Sequence, residues 1–220
     1  MKNFFLTLPQ YLIPQKLLSN LLGKLANQSF GHQTMIKKFV KHYGVNMSEA
    51  KHPNIDHYKT FNDFFIRALN ENAREIDTSA SAMVSPVDGT ISQLGSITKG
   101  RIIQAKGRDY SVEELLGKPN HKKTPFDKGH FSTLYLSPKD YYRIHMPMAG
   151  TLQEMTYIPG DLFAVKPSTA EAVPNLFARN ERLVIIFETE IGPLALVMVG
   201  AMIVGNMSTV WSGELPRIKE

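Results

Sequence analysis

The stretch RLVIIFETEIGPLALVMV, residues 182–199, decides the fold. It consists of two apolar runs joined by ETEIGP, and its β-branched and aromatic residues are typical of strands. We predict a β-hairpin that turns at Ile191-Gly192-Pro193. The second run, LALVMV, is apolar at consecutive positions, so both faces of its strand are predicted to be buried. Burial on both faces indicates a core built as a sandwich or a barrel-like sheet.

Shorter runs of the same kind lie between Val84 and the hairpin, each bounded by Gly, Pro or Asp. Such punctuated apolar runs predict strands and hairpins. The runs are TISQLGSI, RIIQAKG, FSTLYLSP, RIHMPM and GTLQEMTYI. Residues before Val84 show helical spacing instead, with TFNDFFIRAL (60–69) predicted to be a helix that Thr60 or Asn62 caps. We therefore predict an α+β chain, with a helical region over residues 1–75 and a β-rich core over residues 76–220.

Two predicted helices near the N-terminus are basic and amphipathic. Residues 16–28, KLLSNLLGKLANQ, place leucines on one face, and residues 33–43 place apolar side chains opposite lysines. Residues 1–52 contain seven lysines and one acidic residue, so the excess positive charge of the chain lies there. Such helices suit an anionic membrane surface. The alternative is that their apolar faces pack on the protein and only the lysines meet solvent. The apolar residues are Leu17, Leu18, Leu21, Leu22 and Leu25, then Met35, Ile36, Phe39 and Val40, and the facing lysines are Lys37, Lys38 and Lys41.

The composition excludes several classes of protein. There is no cysteine, which rules out disulfides and thiolate metal sites. No run approaches the roughly 18 apolar residues of a membrane-spanning helix. Pro9 and Pro14 interrupt the apolar start of the chain, which disfavours a signal peptide. His121 and His130 lie in a polar stretch without a partner at ligand spacing, so we predict no metal site.

A short repeat places an acid and an imidazole at related positions. Pro86–Ile91 and Pro147–Leu152 share the pattern P-x-x-G-T followed by Ile or Leu. If the two copies form facing hairpins about a pseudo-twofold axis, Asp88 of the first copy and His145 beside the second converge. An aspartate that holds a histidine is the usual arrangement for activating a hydroxyl nucleophile. The alternatives are a chance match, a histidine satisfied within a strand and an aspartate that only forms a turn.

Five blocks, in this order and spacing, resemble bacterial-type phosphatidylserine decarboxylases. They are SPVDGTISQLG, IIQAKGRDYSVEELLG, LSPKDYYRIHMPMAG, YIPGDLFAVKP and VPNLFARNERL. The resemblance extends to the basic N-terminal region and TFNDFF, and so covers essentially the whole chain. It implies a proenzyme that cuts itself before the serine of a Leu-Gly-Ser-Thr motif. Asp88 and His145 match the residues that activate that serine.

The resemblance also implies the chemistry that follows the cut. A pyruvoyl group remains at the N-terminus of a small chain and forms a Schiff base with the amine of phosphatidylserine. That group accepts electrons as CO₂ leaves, and phosphatidylethanolamine is released. The implied partners are the small chain, an anionic phospholipid membrane at the cytoplasmic face of a bacterial cell, and further copies of the heterodimer in a homo-oligomer. No nucleic acid is expected.

Two departures from the family pattern stand out. Tyr142 occupies a position where a second histidine is frequent, and a tyrosine does not titrate near neutrality. No Leu-Gly-Ser-Thr motif appears after WSGEL, and Leu94-Gly95-Ser96 lies in the early block where the family has an ordinary turn. We therefore expect the serine on a part other than these 220 residues, and we expect these residues alone to be inactive.

Three further residues are candidates for substrate binding. Arg179 suits a phosphate because its guanidinium donates two parallel hydrogen bonds. Phe163 suits an acyl-chain entrance, and Tyr142 lies in the block that carries His145. The alternatives are a surface ion pair for Arg179 and a core position for Phe163.

Two other functions fit parts of the sequence. Biotinyl- and lipoyl-type carriers contain P-x-x-G-T repeats, but they need a lysine at a hairpin tip, and the second copy here reads MPMAGT. A non-catalytic membrane-surface module explains the basic helices but leaves the blocks around Asp88 and His145 without a role.

Overall fold

The structure, a computed structural model, describes residues 9–79, 82–117 and 125–215. Helices dominate up to Phe65 and strands follow from Thr90, which confirms the predicted α+β class. The α-helices are α1 (Gln15–Ala26), α2 (His32–Tyr43), α3 (Phe61–Phe65), α4 (Val112–Leu115), α5 (Pro167–Ala172) and α6 (Leu176–Arg179). The strands are β1 (Thr90–Ser96), β2 (Arg101–Ala105), β3 (Arg108–Ser111), β4 (His130–Tyr135), β5 (Thr151–Ile158), β6 (Arg182–Thr189), β7 (Gly192–Val199), β8 (Ser208–Thr209) and β9 (Gly213–Glu214).

The sheets among these residues are small. β1 pairs with β4, β2 with β3 and β8 with β9, while β5, β6 and β7 form an antiparallel sheet with β6 in the centre. The hairpin predicted over residues 182–199 is confirmed, since β6 and β7 pair from Arg182–Val199 to Thr189–Gly192. Its turn was predicted one residue too late: Glu190 and Ile191 connect the strands, and Gly192 already pairs with Thr189. The sandwich or barrel-like arrangement stays a prediction.

The chain divides into two compact units that are discontinuous in sequence. The strand-rich unit consists of Met1–Asn20, Ile91–Thr133 and Gly150–Glu220, and the helical unit consists of Leu21–Thr90 and Leu134–Ala149. The predicted division of the sequence at residue 75 stays a prediction. The core of the strand-rich unit gathers buried side chains from β2, β3, α4, α6 and β6, among them Ile102, Tyr110, Leu115, Leu176 and Val184.

The helical unit has a core of its own, in which Phe64 and Ile36 are fully buried and Val45 and Tyr58 are each 6% exposed. Thr60 caps α3 by accepting a hydrogen bond from the Asp63 amide at 3.0 Å. Of the two predicted cap residues, Thr60 and Asn62, the structure confirms the first. The helix predicted over residues 60–69 ends earlier, at Phe65.

The two basic amphipathic helices bury their apolar faces differently. In α2, Ile36 is fully buried and Phe39 and Val40 pack against the same core, while the lysines are exposed. In α1, Leu17, Leu21 and Leu25 are 58%, 51% and 53% exposed. These leucines recur every four residues, so they form an apolar stripe that meets solvent. Across the described residues, the structure has no helix with the length and apolar character needed to cross a membrane.

RIHMPM, residues 143–148, was predicted to be a strand, and this prediction is wrong. The segment has no regular secondary structure, and it makes only two backbone hydrogen bonds to residues 84–86. The His145 amide donates to the Pro86 carbonyl at 2.8 Å, and the Val84 amide donates to the Pro147 carbonyl at 2.9 Å. Pro86 and Pro147 have no N–H, so neither pair can form its second bond and a regular ladder cannot develop.

Candidate active site

The segments that carry Asp88 and His145 lie side by side within the helical unit. The two bonds described above pair residue 86 with 145 and residue 84 with 147, in antiparallel sense. Asp88 therefore lies two residues after Pro86, the residue whose carbonyl binds the His145 amide. The first proline of each repeat copy accepts a hydrogen bond from the amide two residues before the other copy, so the copies meet at their starts and not as a pair of hairpins.

Gly89 fixes the chain immediately after Asp88. Its φ is 128°, a value that residues with a side chain rarely adopt. A Cβ at this position would lie 3.1 Å from the carbonyl carbon of Tyr135, and closer still to the carbonyl oxygen. The turn at Asp88 thus depends on a close backbone approach to Tyr135 that only glycine permits.

The Asp88 carboxylate is bound by Arg74. The Arg74 Nε donates to Oδ1 at 2.9 Å and Nη2 donates to Oδ2 at 2.6 Å, a two-pronged pair. The same Nη2 donates to Glu49 Oε2 at 2.8 Å. The hydrogen bond to Asp88 raises the pKa of the Arg74 guanidinium most, and the hydrogen bond to Glu49 raises it further. The guanidinium therefore stays charged at any working pH.

The His145 ring contacts Tyr141. The Tyr141 hydroxyl lies 3.0 Å from Nε2, and the two rings are stacked with centroids 5.6 Å apart. Burial raises the pKa of the Tyr141 phenol, which keeps it neutral, so its oxygen can accept a hydrogen bond from Nε2–H in one tautomer of the ring and donate to Nε2 in the other. In the part of the chain that the structure describes, no hydrogen bond joins Asp88 directly to His145.

Arg67 brings a buried positive charge to the same unit. Only 5% of the residue is exposed, its Nη2 donates to the Lys139 carbonyl at 3.3 Å, and its Nε has no hydrogen-bond partner among the described residues. It interacts electrostatically with Asp88, Glu49 and Arg74, and burial lowers the pKa of its guanidinium. Buried polar groups are normally satisfied, so the unpaired N–H of Arg67, a residue that interacts with Asp88 and Glu49, makes it a candidate functional position.

Tyr142 points to a different set of atoms from Tyr141. Its ring packs on Phe65 with centroids 4.2 Å apart, and its hydroxyl donates to the Leu136 carbonyl at 3.3 Å. Burial is the main cause that raises the pKa of this phenol. Tyr142 therefore does not titrate near neutrality, as expected, and its role in substrate binding stays a prediction.

Comparisons with known proteins match most of the chain to one family. A family model described as phosphatidylserine decarboxylase matches residues 61–217, and a second, described as PSD, matches residues 5–44. Over 208 residues the chain is 57% identical to the phosphatidylserine decarboxylase proenzyme of Psychromonas ingrahamii, covering 94% of this chain and 73% of that protein. Proenzymes of the same name from Pseudoalteromonas translucida and Vibrio vulnificus strain YJ016 are 57% and 55% identical over 208 residues, covering 94% of this chain and 72% and 73% of theirs.

The chain belongs to the phosphatidylserine decarboxylase family. The resemblance read from the five sequence blocks is confirmed. The larger match spans both predicted catalytic residues, Asp88 and His145, together with Arg67, Arg74 and Tyr141. Sequence reasoning missed the last three. Arg67 follows a short aromatic helix and Arg74 lies in a polar loop, so neither carries a local signal, but Tyr141 at four residues from His145 could have been noticed.

The other two candidates of this phosphatidylserine decarboxylase chain lie together in the strand-rich unit. Phe163 is 2% exposed and belongs to its core. Arg179 forms an ion pair with Asp161 at 3.0 Å, and its guanidinium lies 4.8 Å from the ring centroid of Phe163 and 5.7 Å from that of Tyr11. Both positions match the alternatives of core residue and surface ion pair, and their roles in substrate binding stay predictions.

Of the two histidines in the polar stretch, His121 and His130, the structure describes only the second. His121 lies outside the described residues, and His130 Nδ1 lies 3.3 Å from the Ser96 hydroxyl. Within residues 9–79, 82–117 and 125–215, no group of three or more His, Cys, Asp or Glu side chains is arranged to hold a metal ion.

Proposed function

We propose that this chain provides the large-chain part of an enzyme that decarboxylates phosphatidylserine to phosphatidylethanolamine after self-cleavage of a proenzyme. Family membership supports the reaction, and the names of the relatives support a processed precursor. The observation that carries the proposal is the antiparallel contact between residues 84–86 and 145–147. This contact supports the inference that Asp88 and His145 act in one polar site with Tyr141, Arg74 and Arg67.

In the self-cleavage step, His145 accepts the hydroxyl proton of the serine as its oxygen attacks the preceding carbonyl. The negative charge of Asp88 stabilises the imidazolium that forms. Tyr141 holds the ring through Nε2, so the contact also restricts the orientation of the imidazole. The Leu-Gly-Ser-Thr serine is not among these 220 residues. We propose that a further part of the gene product supplies it.

The donors of the site fit a pyruvoyl group and the carboxylate of a serine headgroup. Both are rich in carbonyl oxygens, and the buried Nε of Arg67 and the hydroxyl of Tyr141 can each donate a hydrogen bond. A pyruvoyl group supplies the carbonyl that accepts electrons when CO₂ is lost. Around it, Arg67 would balance the carboxylate charge, and His145 would hold or return a proton.

The decisive experiment uses the full-length gene product and radiolabelled phosphatidylserine. We expect labelled CO₂ to be released, and mass spectrometry should find a second chain blocked by a pyruvoyl group. Purified residues 1–220 should release none. An intact, unprocessed chain without activity would contradict the proposal, and a lysine carrying a prosthetic group would favour the carrier alternative.

We also propose that the protein lies on the cytoplasmic face of an anionic membrane, in a homo-oligomer of large and small chains. The exposed leucine stripe of α1 supports the membrane contact, with Lys16 and Lys24 beside it. On α2, Lys38, Lys41 and His42 line a shallow concavity of about 590 Å³. A lysine near an anionic surface contributes about 1 kcal/mol of attraction.

Flotation with vesicles tests the membrane contact. Replacing Leu17, Leu21 and Leu25 with Ser should weaken binding to phosphatidylglycerol-containing vesicles at least about 10-fold, because three apolar side chains no longer enter the interface. The matched control replaces three exposed apolar residues of the strand-rich unit with Ser. They are Leu94, Ile103 and Ile191, which are 69%, 52% and 74% exposed. Equal loss in both triple variants, or no loss in the first, would contradict the contact.

A further inference from the structure

We propose that Arg74 is a positioning residue for Asp88 and that Glu49 holds Arg74 in place. The inference rests on the proposed function of Asp88 in self-cleavage. Arg74 lies in a loop 14 residues before Asp88, and Glu49 lies 25 residues before Arg74. The three side chains therefore connect separate segments of the helical unit through one guanidinium.

The contact between Arg74 and Asp88 fixes the plane of the carboxylate. Nε and Nη2 each donate to a different carboxylate oxygen, at 2.9 and 2.6 Å. Two parallel hydrogen bonds determine the orientation of a carboxylate, which a single bond from a lysine ammonium cannot do. The Asp88 side chain is 23% exposed and that of Arg74 is 39% exposed, so small cations in solution can reach the pair.

The guanidinium itself is held on its far side. Nη2 donates its second proton to Glu49 Oε2 at 2.8 Å, and Nη1 donates to the Ala73 carbonyl at 2.5 Å. Glu49 is held in turn, because its Oε1 accepts a hydrogen bond from Asn46 Nδ2 at 2.8 Å. The donors facing Asp88 are thus oriented before any reaction begins, which is what positioning requires.

The pair also leaves Asp88 able to act on His145. Each carboxylate oxygen has two lone pairs, and Arg74 uses one on each oxygen. One acceptor site per oxygen remains for an imidazolium. The competing hypothesis is that Arg74 withdraws Asp88 from His145, and this hypothesis predicts the opposite effect of removing Arg74.

The test measures the rate of self-cleavage of the full-length proenzyme. Arg74→Ala should slow cleavage about 10- to 100-fold, the size of effect expected when a reacting group is misplaced. Arg74→Lys should restore only part of the rate. Guanidinium ion well below denaturing concentrations should accelerate the Ala variant, while equal concentrations of NaCl or urea should not. Glu49→Gln should slow cleavage roughly 2- to 5-fold, since the charge that holds Arg74 is lost.

The controls separate this inference from the proposed function. Arg101→Ala removes another exposed Arg–Asp pair, with Asp109, and should cleave at the wild-type rate. Asp88→Ala should remain uncut; if it cleaves normally, the proposed function fails. If Asp88→Ala is uncut but Arg74→Ala cleaves at or above the wild-type rate, or is not rescued by guanidinium, only the positioning role is overturned. If Arg74→Ala does not fold, the Lys and Gln variants decide: wild-type rates in both overturn the inference.

Discussion

Two ion pairs in this molecule consist of the same residue types, an arginine and an aspartate, but have different surroundings. Arg74 binds Asp88 through two nitrogens in the helical unit, with Tyr141, His145 and the buried Arg67 in the same unit. Arg179 binds Asp161 through one nitrogen in the strand-rich unit, and its guanidinium lies over aromatic rings. The first pair lies near other ionisable side chains, whereas the second lies against the rings of Phe163 and Tyr11. The side chains around each pair, and not the arginine itself, therefore distinguish the two regions.

Among the changes that compare the helical unit with the strand-rich unit, Gly89→Ala should have the largest effect on stability and self-cleavage. The added methyl group would collide with the Tyr135 backbone at a φ of 128°, so we expect a loss of at least about 2 kcal/mol in stability and about 100-fold slower self-cleavage. Gly107→Ala is the matched control, since Gly107 also has a positive φ but has no atom within 4 Å of the added carbon. Thermal unfolding and gel assays measure both. Equal behaviour of the two variants would show that Asp88 does not depend on the turn.

The next effect concerns two adjacent tyrosines. Tyr141→Phe removes the hydroxyl that contacts His145 and should slow self-cleavage about 10-fold, as expected for a lost orienting hydrogen bond to a catalytic group. Tyr142→Phe removes a longer contact to the Leu136 carbonyl and should have a smaller effect. Thermal unfolding checks that both variants remain folded. If the self-cleavage rate falls more in Tyr142→Phe than in Tyr141→Phe, then Tyr142 and not Tyr141 positions the histidine.

A stability effect should distinguish the strand-rich core. Burial raises the pKa of Tyr110 to about 12. Below pH 10 both the folded and the unfolded chain keep the phenol proton, and between pH 10 and about 12 only the unfolded chain loses it. The free energy of unfolding should therefore fall with rising pH, by roughly 1 kcal/mol more between about pH 9 and pH 11 in the wild type than in Tyr110→Phe. Urea unfolding at the two pH values measures this, and identical losses would contradict it.

The smallest effect should come from Arg179→Ala. The pair with Asp161 is exposed on both sides and such pairs contribute roughly 0–1 kcal/mol. We expect the melting temperature to change little and the rate of CO₂ release to remain within about twofold of the wild type. A 10-fold lower rate with unchanged stability would instead place Arg179 at the substrate.

The sequence predicted those features that follow from local chemistry. The alternating and continuous apolar runs located β5, β6 and β7, and Thr60 was recognised as a cap because its hydroxyl suits the first turn of a helix. RIHMPM was misread, since periodicity does not register that proline lacks the N–H a ladder requires. The different burial of α1 and α2 was also beyond sequence reasoning, because both helices have the same amphipathic pattern.

The candidate site was predictable only in part, for a related reason. Asp88 and His145 belong to recognisable blocks, whereas Arg67, Arg74 and Glu49 reach the site through tertiary contacts between segments far apart in sequence. No motif spacing encodes such contacts. The partners of Asp88 and His145 therefore required coordinates.

The measurement that tests the central claim most directly is the self-cleavage rate of full-length proenzymes carrying Asp88→Ala, His145→Ala or both changes. If the two residues act as one unit, both single variants and the double variant stay uncut while the wild type is processed completely. Processing of both single variants at the wild-type rate would contradict the account.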